Sequence, residues 1–286
     1  MPAVITTRRP SGLPAPERLE QLCRVLALVD GIVCPDESMR MFEFAPRWSR
    51  TARTGRFRDS GGDECFFWFS RAGAVIVGYT KTGGSADPDD VFRGLPAPLD
   101  AARTEPSFGD EVSFALWRTP RDDRWQAGKT RKDDGSGEIL RFYDDHPLGY
   151  LELARLVYGE SAPEMRWVDA LWCGKSLTPE IARGLGGDDV DVKAALALAK
   201  ELGLPYARGA PVVVPARRGA PPPAPASSGK PPGPAAHDAF FVVSMDRGVV
   251  SLSFGGKPVA SRKDADLYDH LADYARRAIE GPIRSK

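Results

Sequence analysis

The sequence predicts an α+β protein, an antiparallel sheet with flanking helices, followed by a Pro/Ala/Gly linker and a small ββα module. Three observations predict it. Two apolar, β-branched and aromatic runs, Cys65–Phe69 and Ala72–Tyr79, are split only by Ser70-Arg71, the pattern of a hairpin. Apolar residues recur at helical spacing before that hairpin and again after residue 146. Residues 209–236 hold nine Pro, seven Ala and four Gly in 28 positions, too little apolar side chain to offset the entropy of ordering.

Taken in chain order, residues 1–16 read as a disordered N-terminus and 17–208 as the main domain. Leu19, Leu22, Leu26 and Val29 lie three or four apart behind Pro14 and Pro16, which predicts an amphipathic helix over 17–30 closed at Gly31. Met39–Phe44 reads as a short strand, and 46–58 as a solvated loop whose arginines pair with the acidic body. The hairpin follows, then Val112–Arg118, which alternates like a half-buried strand, and Ile139–Tyr143 as a further strand, for a sheet of four or five. Helices are expected over His146–Tyr158, from Thr178-Pro179-Glu180, where Thr is the cap and Pro opens the first turn, and over 190–202, ending at Gly203. After the linker, 237–286 reads as strands Phe240–Met245 and Val249–Phe254 and a helix capped by Ser261 with Asp264.

Composition narrows the function. Lys+Arg and Asp+Glu are each 39, and the unevenness is small. Residues 1–208 carry 28 basic and 32 acidic groups, the linker three and none, and 237–286 eight and seven. Neither excess makes a strong electrostatic funnel. Cys23, Cys34, Cys65 and Cys173 form no Cys-x-x-Cys pair and sit among apolar residues, as buried free thiols of a reducing compartment do. Arg8-Arg9 is followed by no uncharged apolar run, and no stretch approaches the roughly 20 apolar residues of a membrane span, so a cytoplasmic location is expected.

No catalytic, cofactor or metal site is expected. His146, His237 and His270 lie far apart, outside any His-x-x-x-His pattern, and Asp133–Glu138 lacks the ligand spacing of an EF-hand. The candidate contact surface is Arg47, Trp48, Arg50, Arg53, Arg56 and Arg58, a run without acid, joined by Trp125, which follows a turn and reads as half-exposed. Arginine beside an aromatic ring suits a protein hot spot, and suits phosphate with base stacking as well.

Arg58 and Gly61-Gly62-Asp63-Glu64-Cys65 resemble the signature hairpin of diguanylate cyclases. The upstream strand with a further metal-binding Asp and a substrate-binding Asn has no counterpart, so Ser60–Asp63 reads as a turn feeding a strand. Ser60–Phe69 with Ala72–Tyr79, and later Ser176–Leu185 with Ala199–Pro205, resemble a group of uncharacterised bacterial proteins with a Gly-Asp-Glu hairpin and a Leu-Thr-Pro-Glu helix. That resemblance spans about residues 17–208, implies one body domain and carries no activity.

These readings make a non-catalytic protein-binding protein the expectation, with an unidentified protein partner, an immunity-type or effector-associated role as its narrower form, and no membrane. Two alternatives stand beside it. One is a hydrolase or nucleotide-handling enzyme with a loop-assembled site of Arg58, Asp63, Glu64 and Asp110/Glu111; the other is nucleic-acid contact through Arg47–Arg58.

Overall fold

The computed structural model describes residues 4–104 and 111–207, and three strands beyond them. The chain divides into two units, Met1–Val212 and Val213–Lys286.

The first unit opens with α1, Pro16–Val33, which runs two residues past Gly31 and ends at Cys34. Six strands follow, interrupted once by a short helix: β1 Phe42–Ala45, β2 Ala52–Arg58, β3 Glu64–Ser70, β4 Gly73–Tyr79, α2 Pro88–Val91, β5 Phe114–Arg118 and β6 Gln126–Ala127. They pair in sequence order, every neighbour antiparallel, so the sheet is a meander built from connections that need no crossover. At the hairpin between β3 and β4, Gly73 has φ +135°, and a Cβ there would meet the Arg118 carbonyl oxygen at 2.3 Å. Only glycine fits that corner.

Among the described residues five helices come after this sheet: α3 Ser136–Leu140, α4 Leu148–Tyr158, α5 Met165–Trp172, α6 Pro179–Gly186 and α7 Val192–Glu201. Thr178 caps α6 as its sequence predicts, its side chain accepting from Ile181 N–H at 3.2 Å. Asp191 caps α7 in the same way, accepting from Ala194 N–H at 2.9 Å.

Side-chain alternation sorts the sheet into two faces. Phe42, Phe57, Cys65, Phe67, Phe69, Ile76, Phe114 and Leu116 join α1, α4 and the later helices in the main core. On the other face Phe66, Trp68, Val75, Val77, Ala115 and Trp117 are buried under Val91, Phe92, Leu99, Ala102 and Val112. Strands β3, β4 and β5 are therefore covered on both sides, which is why β3 and β4 read as near-continuous apolar runs. This corrects the expectation of a half-buried Val112–Arg118.

Other expectations are corrected as well. The sheet has six strands, because 52–58, read as loop, is β2, and Gln126–Ala127, not expected as strand, is β6. Ile139–Tyr143 is the end of α3 and a 3-10 turn, not a strand. Residues 4–16 pack onto the body, with Ile5 and Leu13 in the main core and Thr7 buried. Cys23 and Cys65 are buried free thiols, whereas Cys34 is half-buried and Cys173 exposed.

The described residues of the second unit are three strands, β7 Phe241–Asp246, β8 Val249–Phe254 and β9 Lys257–Arg262, antiparallel in that order. The helix expected after Ser261 and the linker 209–236 lie outside the described residues.

Candidate functional site

Strand β2 decides what the arginine run can do. In an antiparallel strand alternate residues face opposite sides, so Arg53 points toward α1 while Arg56 and Arg58 share the other face with Glu43 and Glu64. Arg53 holds Glu20 by two hydrogen bonds, Nε to Oε1 at 2.7 Å and Nη2 to Oε2 at 2.8 Å. Arg24 donates to the same carboxylate from one turn along α1. Burial pushes the Glu20 pKa up, but the two guanidiniums outweigh it and hold the carboxyl below its ordinary value. Arg56 pairs with Glu64 at 2.7 Å and Arg58 with Glu43 at 3.3 Å. Three of the five arginines are thus engaged by carboxylates inside the protein.

Arg47 and Arg50 differ. Both are exposed in the connection between β1 and β2, and neither has an ion pair among the described residues. Between them Trp48 is 43% exposed and stands edge-on against Phe66, ring centroids 6.2 Å apart. A large ring held against the sheet has already lost much of the freedom it would otherwise give up on binding. Trp125 leaves the candidate surface. It is 3% exposed, belongs to the main core, and its Nε1–H donates to the Pro14 carbonyl at 2.8 Å.

The residues considered for a catalytic site do not converge. Asp63 lies in the β2–β3 turn and accepts from Lys81 N–H at 2.9 Å, while its neighbour Glu64 starts β3 and is held by Arg56. Arg58 is tied to Glu43; Glu111 is exposed, and Asp110 lies outside the described residues. Among the described residues no group of three His, Cys, Asp or Glu side chains is placed to hold a metal ion. No helix there is long and apolar enough to cross a membrane.

A cleft escaped the sequence reading. It is an open cleft of about 870 Å³ between the N-terminal strap, the β2–β3 turn, the segment 132–142 and α4. Its inner wall includes Phe57, Ile139 and Phe142, buried core residues, and Leu153 of α4. Asp59 and Asp63 stand on one side. Asp59 accepts from Asp63 N–H at 2.9 Å, and its carboxyl is pushed above the ordinary range, mainly by burial and further by the Asp63 charge.

One rim of this cleft is built by a polar clasp. Asp134, buried, receives the Thr7 hydroxyl on one oxygen and Ser136 N–H at 3.0 Å on the other, and Thr7 N–H donates to Ser136 Oγ at 3.1 Å. The Asp134 carbonyl accepts from Thr80 Oγ1 at 3.1 Å. Gly135 has φ +71°, and a Cβ there would lie 1.9 Å from Thr80 Oγ1, so the clasp requires glycine. The signal for this clasp was Asp133–Glu138, whose oxygen and glycine content resembles an ion loop but serves to bind the chain's own N-terminal strap.

Fold and geometry together define an α+β protein on a six-stranded antiparallel meander, with helices on one face and a shorter cover on the other. No protein-family model, no curated protein and no solved structure matches the chain.

Proposed function

We propose that this chain is a non-catalytic protein-binding module whose contact patch is centred on Trp48. The supporting observation is the half-exposed indole on Phe66, flanked by two arginines that no carboxylate of the described residues engages. Tryptophan and arginine are the residue types that dominate binding energy at protein interfaces. The complementary partner is a protein presenting an apolar slot for the indole and acidic groups around it. A toxin or effector neutralised by this chain is the narrower form of the same proposal.

Nucleic-acid contact fits less well. Neutralising phosphates requires free cations, and ion pairs within the fold already occupy Arg53, Arg56 and Arg58. Hydrolytic or nucleotide chemistry fits less well for a different reason: Asp63 closes the turn on Lys81 N–H, apart from Glu64 and Arg58, whose charges are paired with Arg56 and Glu43.

The test compares the full chain with an Arg47→Glu/Trp48→Ala/Arg50→Glu variant and a Lys193→Glu control, cross-linked in native extract and then measured by titration with the purified partner. All four positions are exposed, so folding is expected to persist. A stoichiometric partner bound at least about 30-fold more weakly by the triple variant, a loss of about 2 kcal/mol, supports the reading. Equal binding by variant and control, or no stoichiometric partner, overturns it.

A further inference from the structure

The cleft beside the β2–β3 turn has a lining with two chemical characters. Its volume, about 870 Å³, falls within the range of roughly 300–1,000 Å³ typical of sites for small organic ligands. Its wall is apolar where Phe57, Ile139, Phe142 and Leu153 meet. Its lip carries two of the large apolar side chains that the first unit leaves in solvent, Leu156 at 83% exposure and Val4 at 63%. Apolar area there offers a body-sized contact that water solvates poorly.

Charge selects among apolar ligands. Five carboxyl groups and three cationic groups line the cleft, two net negative charges. The internal pairs do not erase that excess. Arg141 is drawn to Glu152, outside the lining, at 3.5 Å and lies over the Phe142 ring at 5.1 Å. Asp134 is occupied by Thr7 and Ser136. Asp59 and Asp63 both line the cleft, are joined by the Asp63 N–H bond to the Asp59 carboxylate, and have no ion pair among the described residues. A cation placed there would relieve the repulsion between the two carboxylates and the cost of burying one of them.

We infer that the cleft binds a small amphipathic amine, an ammonium group on an apolar body, with the ammonium at Asp59 and Asp63 and the body against Leu153, Leu156 and Val4. The site is separate from the Trp48 patch and does not depend on the proposed protein partner.

Two probes of nearly equal size and opposite charge test it on the full chain, phenethylamine and 3-phenylpropionate, by NMR titration of the amide spectrum at pH 7. Expected is phenethylamine binding at about millimolar concentration, with shifts around Leu153 and Leu156, and 3-phenylpropionate at least about tenfold weaker, a difference of ~1.4 kcal/mol. Asn at 59 and 63 keeps the side-chain acceptors that close the turn while removing charge. Asp59→Asn/Asp63→Asn therefore brings the two probes within about threefold of one another. Leu156→Ser, at an exposed position, weakens both equally. Equal binding of the two probes to the wild type, preference for the acid (a site governed by Arg8 and Lys132), an unchanged ratio in the double variant, or no binding overturns the inference. If the double variant unfolds, Asp63→Asn alone, which leaves the Asp59 carboxylate and its bond to the residue 63 N–H in place, serves instead: an amine-to-acid ratio at least about threefold lower than wild type supports the assignment, and an unchanged ratio overturns it.

Discussion

Arg53 grips both oxygens of Glu20, at 2.7 and 2.8 Å, and so ties the N-terminal part of α1 to the sheet strand that runs beneath it. A residue that composition places on a binding surface is a structural strut. The guanidinium fork matches the carboxylate plane, which makes this a stronger pair than a lysine at the same place could form.

Arg53→Ala should cost about 1–2 kcal/mol, between the value of an exposed pair and that of a buried one. Arg47→Ala should cost about 0.5 kcal/mol or less, because its side chain lies in solvent and engages no carboxylate. Urea unfolding of the two variants separates the cases. Equal midpoints would show that the Glu20 pair contributes nothing to the fold.

The same pair sets a pH dependence. Arg53 and Arg24 hold the Glu20 carboxyl below its ordinary value in the folded chain. Its contribution is therefore fully present above the unfolded value of about 4.3 and is lost as pH falls through the lower folded value. Between pH 5 and pH 2.5 the wild type should lose stability more steeply than Glu20→Gln, the difference being read from chemical denaturation at each pH. Parallel curves would sink the assignment.

How far the sequence reaches can be seen by comparing β2 with β3. Strand β3 is buried on both faces, so Cys-Phe-Phe-Trp-Phe declares itself by composition alone. Strand β2 sits where the second face of the sheet is less covered, so Arg56 and Arg58 are tolerated there, each paired across a strand. On its core side Gly55 replaces a larger residue because Cys23 Sγ would stand 3.2 Å from a Cβ, and Arg53 is there for Glu20. The period-two apolar signal is broken at both positions, and the segment reads as loop. Helix caps fared better, because Thr178-Pro179 acts within one turn of its own helix.

The cleft and the true place of Trp125 were not legible for a shared reason. Trp125 Nε1 finds its acceptor at Pro14, 111 residues away, and the clasp that builds the cleft rim joins Thr7 to Asp134 over 127. Local pattern carries no record of such pairings. Asp63 and Glu64 make the converse point: adjacent acids suggest one site, but one closes a turn and the other begins a strand, and their side chains part.

A second buried carboxylate joins three elements. Asp30, near the end of α1 and fully buried, accepts from Met41 N–H at 2.8 Å and Phe42 N–H at 3.2 Å on one oxygen, and from the Tyr158 hydroxyl at 2.7 Å on the other. Tyr158→Phe removes one donor and should cost about 1–2 kcal/mol. Asp30→Ala leaves two backbone N–H groups at the start of β1 without this acceptor and should cost about 3 kcal/mol or more. Differential scanning calorimetry ranks them; a Tyr158→Phe loss equal to that of Asp30→Ala would mean that the backbone bonds are not what Asp30 supplies.

The N-terminal strap offers the last test, because it was expected to be disordered and instead closes one side of the cleft. Ile5 and Leu13 enter the main core, and between them Thr7 donates to Asp134 while its N–H reaches Ser136. The strap is a short segment held at few points, so its local opening should cost less than global unfolding. Thr7→Val keeps the side-chain shape and deletes the hydroxyl, leaving one buried oxygen of Asp134 without that donor, at an expected cost of about 2 kcal/mol. That cost falls first on strap opening. Trypsin should therefore cut after the exposed Arg8 at least about tenfold faster in Thr7→Val, while resistance at Arg56 and Arg58 of β2 stays near that of the wild type. Simultaneous sensitisation of strap and sheet would show instead that the clasp belongs to the cooperative core.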